Sequence, residues 1–192
     1  KNKDWEWSLS LNYAYNKNKI KKISNALREQ NEKNQAKGGV TPLPIYEEGQ
    51  SLTALKVVSS AGIDPITGNE VFIKRDGSLT FVYDPNDKVV YGDTTPFGMG
   101  SLGSYLTYKQ FSMGMSMRYS FGGAVYNQTL ASKVEGADPR YNADERVFSS
   151  RWKEVGQQAK YKRISDSSVP MQTSRFVETN NYITLSSLSL AY

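Results

Sequence analysis

Between Trp5 and Asn16 the chain alternates strictly. Trp5, Trp7, Leu9, Leu11, Tyr13 and Tyr15 take one parity; Glu6, Ser8, Ser10, Asn12, Ala14 and Asn16 take the other. A period of two is the pleat of a β-strand, here with one apolar face and one small, polar face. Phe111 to Phe121 repeats the arrangement, with Phe111, Met113, Met115, Met117, Tyr119 and Phe121 set against Ser112, Gly114, Ser116, Arg118 and Ser120. In both segments aromatics stand at each end of the apolar face, with Leu or Met between. About ten steps at ~3.3 Å, tilted by about 40°, give a height of about 25 Å, which matches the apolar band and two aromatic girdles of a membrane barrel. Strands of soluble sandwiches are shorter, about 5 or 6 residues.

Leu102 to Lys109 supplies another strand, and Tyr108-Lys109-Gln110-Phe111 leaves room only for a tight hairpin. In Tyr182 to Tyr192 the apolar parity changes from Ile183 and Leu185 to Leu188, Leu190 and Tyr192, so Ser186-Ser187 marks a bulge or the entry into lipid. The pattern predicts membrane strands near 5–16, 101–109, 111–121 and 182–192, with long outer loops over 17–98 and 122–181. Long connections on one side and a short turn on the other are the asymmetry of outer-membrane barrels. The expected fold is all-β: part of a transmembrane antiparallel β-barrel with long extracellular loops. Four strands cannot close a barrel, so 1–192 reads as a fragment. Within the first loop, Ser24 to Gln35 has helix propensity, and Val71–Lys74 with Leu79–Tyr83 suggests a hairpin around Asp76-Gly77.

The 192 residues carry a net charge of +5 and no cysteine or histidine. Disulfides, thiolate metal sites, His-based zinc binding and the Ser-His-Asp arrangement are thereby excluded, and no enzyme signature, metal or cofactor is implied. Asp138, Asp144 and Glu145 form no tuned acid-base pair. The Lys and Arg residues are scattered among acids except for one denser run, Lys17, Lys19, Lys21 and Lys22, so no nucleic-acid partner is expected. No apolar run reaches the ~20 residues of a membrane helix, and mean hydropathy is −0.58, but an alternating membrane strand needs only half its positions apolar. Lys1 to Asp4 shows no signal-peptide pattern; a targeting segment would lie outside the chain.

Several stretches together resemble a known family. Gly62-Ile63-Asp64-Pro65-Ile66-Thr67-Gly68 with Asp76-Gly77, then Pro96, Gly98, Gly100, Tyr108-Lys109 and Phe111, resemble motifs of SusC/RagA-type TonB-linked outer-membrane proteins. Arg151-Trp152 with Gly156 resembles that family's RW…G loop. Thr173-Ser174-Arg175-Phe176-Val177-Glu178, followed by Tyr182, Leu185, Leu188, Leu190 and Tyr192, is similar to its SRFVE strand. Each motif is weak alone, but their shared order is specific. Ser101 and Thr184 depart from the pattern without disturbing the alternation. The resemblance implies a C-terminal part of a 22-stranded barrel in a Gram-negative outer membrane. It further implies an N-terminal plug, TonB contacted through a missing N-terminal region, and a SusD-like surface lipoprotein as partner.

The function so implied is TonB-dependent nutrient import of glycans or oligosaccharides, less often peptides. Alternatives are a siderophore or cobalamin receptor of the same broad class, or a secreted β-sandwich carbohydrate-binding or adhesin module. Loop aromatics suit sugar rings, so Trp152, Tyr141 and Tyr161 are the candidate ligand contacts, against a purely structural role for each. Trp5, Trp7 and Tyr13 are expected to be lipid-interface anchors.

Overall fold

The computed structural model describes residues 4–138 and 140–192; Lys1, Asn2 and Lys3, on which the signal-peptide reading partly rests, lie outside the described residues. The elements are β1 (Trp5–Tyr15), α1 (Asn25–Ala36), β2 (Ala54–Ile63), β3 (Glu70–Ile73), β4 (Leu79–Thr80), β5 (Lys88–Asp93), β6 (Gly98–Tyr108), β7 (Phe111–Tyr126), α2 (Arg146–Ser149) and β8 (Val177–Ala191). The class is all-β. Two four-stranded sheets hold the strands, one in the order β1, β6, β7, β8 and the other in the order β4, β3, β2, β5. Among the described residues no helix is long and apolar enough to cross a membrane, which leaves crossing by strands open.

The first compact unit comprises Thr94–Ala124, Thr179–Tyr192 and the amino-terminal strand through Asn18. Trp5 pairs with Tyr108 and Tyr15 with Gly98, antiparallel and without a slip between them. β6 and β7 pair just as regularly, from Tyr108 opposite Phe111 to Gly98 opposite Phe121. The hairpin between them turns on Lys109, whose φ of 53° is left-handed. Gly100 helps to fix this register. Tyr119 of β7 lies over Gly100 of β6 and donates from Oη to the Asn12 carbonyl of β1 at 2.7 Å, and a Cβ at Gly100 would sit 2.5 Å from that Oη. One side chain thus ties three strands together, as aromatic cover of a strand glycine commonly does.

Three strand ends differ from the expectations. β6 starts at Gly98 instead of 101, β7 continues to Tyr126 instead of stopping at 121, and β8 starts at Val177 instead of 182. Beyond the apolar band the ladder hydrogen bonds continue while the side chains no longer alternate in hydropathy, so the sequence pattern ends before the strand does. β8 also runs as strand through Ser186 and Ser187.

The second unit is Lys19–Asp93 with Val125–Glu178, so most of the two long connections fold together. Its sheet is antiparallel throughout. β2 and β5 left no alternation in the sequence because Leu55, Lys56, Val57 and Val58 of β2 are all buried in succession. α1 matches the expected helix within one residue; Ser24 caps it, its Oγ accepting from the Leu27 amide at 3.3 Å. The expected hairpin forms as β3 and β4, though β4 is only Leu79–Thr80. A small core of Ala131, Val134, Val147, Tyr161 and Phe176 closes the unit beside a π-helical turn, Leu130–Glu135, whose end is marked by the Gly136 amide donating to Ala131 O at 2.9 Å.

Candidate functional site

The strand register of the first unit sorts its side chains onto two faces. Residues directly opposite in an antiparallel pair share a face, so Trp5, Tyr108 and Phe111 stand together, as do Leu11, Leu102 and Met117. At the hairpin end the rings of Trp5 and Tyr108 lie 4.3 Å apart and those of Phe111 and Tyr192 4.9 Å apart. Ten residues along β7, the rings of Tyr119 and Phe121 stack at 5.6 Å. Between the two aromatic rows stand Leu9, Leu11, Met113, Met115 and Met117. The opposite face carries Ser8, Ser10, Ser101, Gly103, Ser112, Gly114 and Ser116, with Arg118 as a cation. Trp7 and Leu11 are each 67% exposed and Leu190 is 76% exposed. Apolar side chains standing free over a whole sheet face need an apolar solvent or partner, and two aromatic rows ten residues apart along β7 fit a lipid band.

Beside its apolar core, the second unit contains buried charges that satisfy one another. Arg175, just before β8, uses all five N–H donors. Nε and Nη2 bind the Glu70 carboxylate at 2.7 Å each, Nη1 and Nη2 bind Glu135 at 2.7 and 2.8 Å, and Nη1 also donates to Lys160 O at 2.8 Å. Burial works against its charge, but its hydrogen bonds to Glu70 and Glu135 outweigh it and the guanidinium pKa is raised. Arg151 is buried and donates to the carbonyls of Val147 at 2.8 Å, Lys162 at 3.3 Å, Val134 at 3.0 Å and also Glu135. Lys88 is buried too, and its ammonium caps the end of α1 through the carbonyls of Asn34, Gln35 and Lys37 at 3.2, 3.0 and 2.9 Å.

Burial lowers the Lys88 pKa to about 8. Its folded pKa lies below the unfolded one, so above about pH 8 the unfolded chain holds a proton that the folded chain has lost. Stability from this group therefore rises with pH from about 8 to the ordinary lysine value. Denaturant unfolding across that range is expected to show this slope, and Lys88→Met is expected to remove it.

Two motifs of the sequence meet here. Trp152 donates from Nε1 to Pro65 O at 2.9 Å and lies against Gly68, whose φ is +71°. A Cβ on Gly68 would stand 2.6 Å from Trp152 Cδ2 and Cε3. Gly68→Ala is expected to cost about 1–3 kcal/mol, through strain in the left-handed backbone and displacement of the indole. Faster tryptic cleavage within 19–93 would report it, and unchanged cleavage would count against this packing.

No family model matches the chain. Over its full length it is 28% identical to the TonB-dependent receptor P3 of Formosa agariphila, and over 69% of its length 29% identical to the TonB-dependent receptor SusC of Bacteroides thetaiotaomicron. The solved RagAB peptide transporter superposes on 99% of the chain with a TM-score of 0.78 at 21% identity, and the RagAB peptide importer in its open-open state does so equally well. The chain is similar to SusC-type TonB-dependent receptors. It spans 20% of the Formosa receptor, 14% of SusC and 21% of the solved RagAB chain.

The three candidate aromatics do not converge. Tyr161 is 6% exposed and part of the core, Trp152 is half-buried against Gly68, and Tyr141 is 74% exposed. Trp152 and Tyr161 are neighbours through the backbone, the Trp152 amide donating to Tyr161 O at 3.1 Å. A cleft of about 510 Å³ lies elsewhere in the second unit, with Val40, Ala137, Ile164, Val169 and Pro170 on its walls and Asp138, Arg140 and Asp166 among its polar residues. Arg140 holds the Asp138 carboxylate at 2.6 Å and brings its pKa down to about 2. Sequence reasoning missed Glu70, Glu135, Arg151 and Lys88 as organising residues. The only signal available was the presence of Arg151 and Arg175 in the RW and SRFVE motifs.

Proposed function

We propose that this chain forms part of the barrel wall and an outward-facing loop lobe of a TonB-dependent importer in a Gram-negative outer membrane. The carrying observation is the continuous apolar sheet face bounded by two aromatic rows, supported by the similarity to SusC-type receptors. On this reading the complete barrel has 22 strands, and TonB is engaged through an N-terminal region outside this chain. A SusD-like lipoprotein meets the loops. The cargo is a glycan or oligosaccharide; Tyr141, the exposed one of the three candidate aromatics, meets a sugar ring, and Trp152 and Tyr161 keep the loop fold.

A peptide cargo is a second reading, favoured by two observations. The solved neighbours are peptide transporters, and among the described residues the cleft has aliphatic but no aromatic lining, which suits an aliphatic side chain better than a pyranose. Deleting the parent gene and comparing growth on defined oligosaccharides and peptides tests both. Loss of growth on oligosaccharides alone, with a lipoprotein that copurifies with the full-length protein, is expected. Normal growth on every oligosaccharide and peptide would reject import.

A further inference from the structure

A smaller cavity of the second unit, of about 200 Å³, has the aromatic wall that the larger cleft does not: Phe72, Phe81 and Tyr83 line it, with Asn69, Asp166 and Ser168 among its polar residues. At about 30 Å³ per water molecule in the liquid, it has room for about six or seven waters, the bulk of one sugar ring. The wall is fixed from behind, since Phe72 is buried and the Tyr83 ring meets it edge-on with centroids 5.5 Å apart. Phe81 is 56% exposed, so its ring is open to a ligand.

The charged side chains that line this cavity are already neutralised. Glu70 is held by Arg175 at 2.7 Å, and the Lys162 ammonium by the Asp166 carboxylate at 3.0 Å and the Ser168 hydroxyl at 2.7 Å. An ion entering would give up its water and meet no unpaired opposite charge, a cost that a neutral ligand escapes. Hydrogen-bonding capacity is nevertheless left over. The Asn69 carboxamide makes no hydrogen bond among the described residues, although its backbone is fixed, the amide donating to Thr67 Oγ1 at 3.3 Å and the carbonyl accepting from the Asp64 amide at 2.8 Å. The Asp166 carboxylate accepts from the Ser168 amide at 2.9 Å and from Lys162, and keeps further lone pairs for a hydroxyl. Asp166, Ser168 and Val169 also line the larger cleft, so this short segment lies between the two cavities and a longer chain has room to pass over it.

We propose that this cavity binds one neutral pyranose unit of an imported oligosaccharide, stacked on Phe81 and hydrogen-bonded by Asn69 and Asp166. The inference deepens the oligosaccharide-cargo reading and rests on it. A flat ring covers the apolar face of a sugar while the carboxamide and carboxylate meet the hydroxyls at its edge. An aliphatic side chain in the same place would leave both polar groups without partners.

The test uses full-length protein, purified as a single polypeptide in mild detergent. It is exposed to an array of neutral and uronic-acid oligosaccharides, and the neutral one retained best is titrated by calorimetry. Phe81→Ala is expected to weaken binding about tenfold and Asn69→Ala about fivefold, while Phe81→Tyr, which keeps a flat ring, stays within about twofold of wild type. Phe148→Ala removes an exposed ring that does not line the cavity and should bind as wild type does. Tryptic cleavage of the loop lobe is recorded for every protein, and Asn69→Ala keeps the test decisive should Phe81→Ala be cleaved faster. If wild type retains no oligosaccharide at all, the oligosaccharide-cargo reading falls and this inference with it. If wild type binds and the variants with an intact lobe, Phe81→Ala or Asn69→Ala, bind as tightly, the inference alone is overturned. It is also overturned if every oligosaccharide retained is acidic.

Discussion

Replacing Arg175 with alanine is expected to unfold the loop lobe, with a loss of about 3–5 kcal/mol, while strand assembly continues. The side chain is the single cation between two buried carboxylates, and its removal leaves Glu70 and Glu135 facing each other without a counter-charge, with only the Lys162 amide, 3.4 Å from Glu135 Oε2, still donating to them. Burying one unpaired carboxylate is costly, and burying two is worse. The readout is limited proteolysis of full-length protein in detergent, with rapid cleavage within 19–93 and 125–178 and an unchanged heat-modifiable band. The double variant Glu70→Gln and Glu135→Gln keeps hydrogen-bonding groups of the same shape and is expected to lose less. Equal protease resistance of Arg175→Ala and wild type would mean that the triad does not hold the lobe together.

The second large effect belongs to the sheet. Met115→Arg puts a guanidinium midway along the apolar face and is expected to cost about 2–4 kcal/mol of barrel stability, whereas Ser116→Arg, one residue further and on the other face, is expected to cost little. The comparison is sharp because neighbouring residues differ only in the face they occupy. Denaturant titration of full-length protein refolded into vesicles measures both. Equal effects, or a larger loss for Ser116→Arg, would reverse the assignment of faces.

Alternation made the sheet legible because one face had to be apolar over the whole height of the band. Trp5 to Tyr15 and Phe111 to Phe121 each carry that demand in every second residue, and both form strands at those positions. Where the demand stops, the sequence falls silent: Gly98, Gly123 and Glu178 are in strands although nothing in their hydropathy marks them. Within the long connections, Ser24 to Gln35 announced a helix through its propensity and Asp76-Gly77 a turn through local chemistry. β2 stayed hidden because its consecutive Val57 and Val58 are buried together, which no period distinguishes from other short apolar runs.

The site was less legible, for a related reason. Trp152 was noticed for its chemistry, and its contact with Gly68 and Pro65 depends on two loops meeting more than 80 residues apart in sequence. The same holds for Arg175, whose partners Glu70 and Glu135 lie 105 and 40 residues away. Charged residues brought together over such separations leave no local pattern, so a buried triad and a solvated one read alike along the chain. Tyr161 illustrates the converse: a loop tyrosine chosen for its ring is buried because the core beside the π-helical turn needs one.

The central claim is that the face bearing Met113, Met115 and Met117 meets lipid and the face bearing Ser112, Ser116 and Arg118 meets water. Nitroxide labels placed one at a time along 112–118 of the full-length protein in bilayers measure it through collision with oxygen, which concentrates in lipid, and with a water-soluble nickel chelate. Oxygen accessibility is expected to peak at the odd-numbered positions and nickel accessibility at the even-numbered ones, in strict alternation. Nickel maxima at positions 113, 115 and 117, or accessibilities without a period of two, would contradict it.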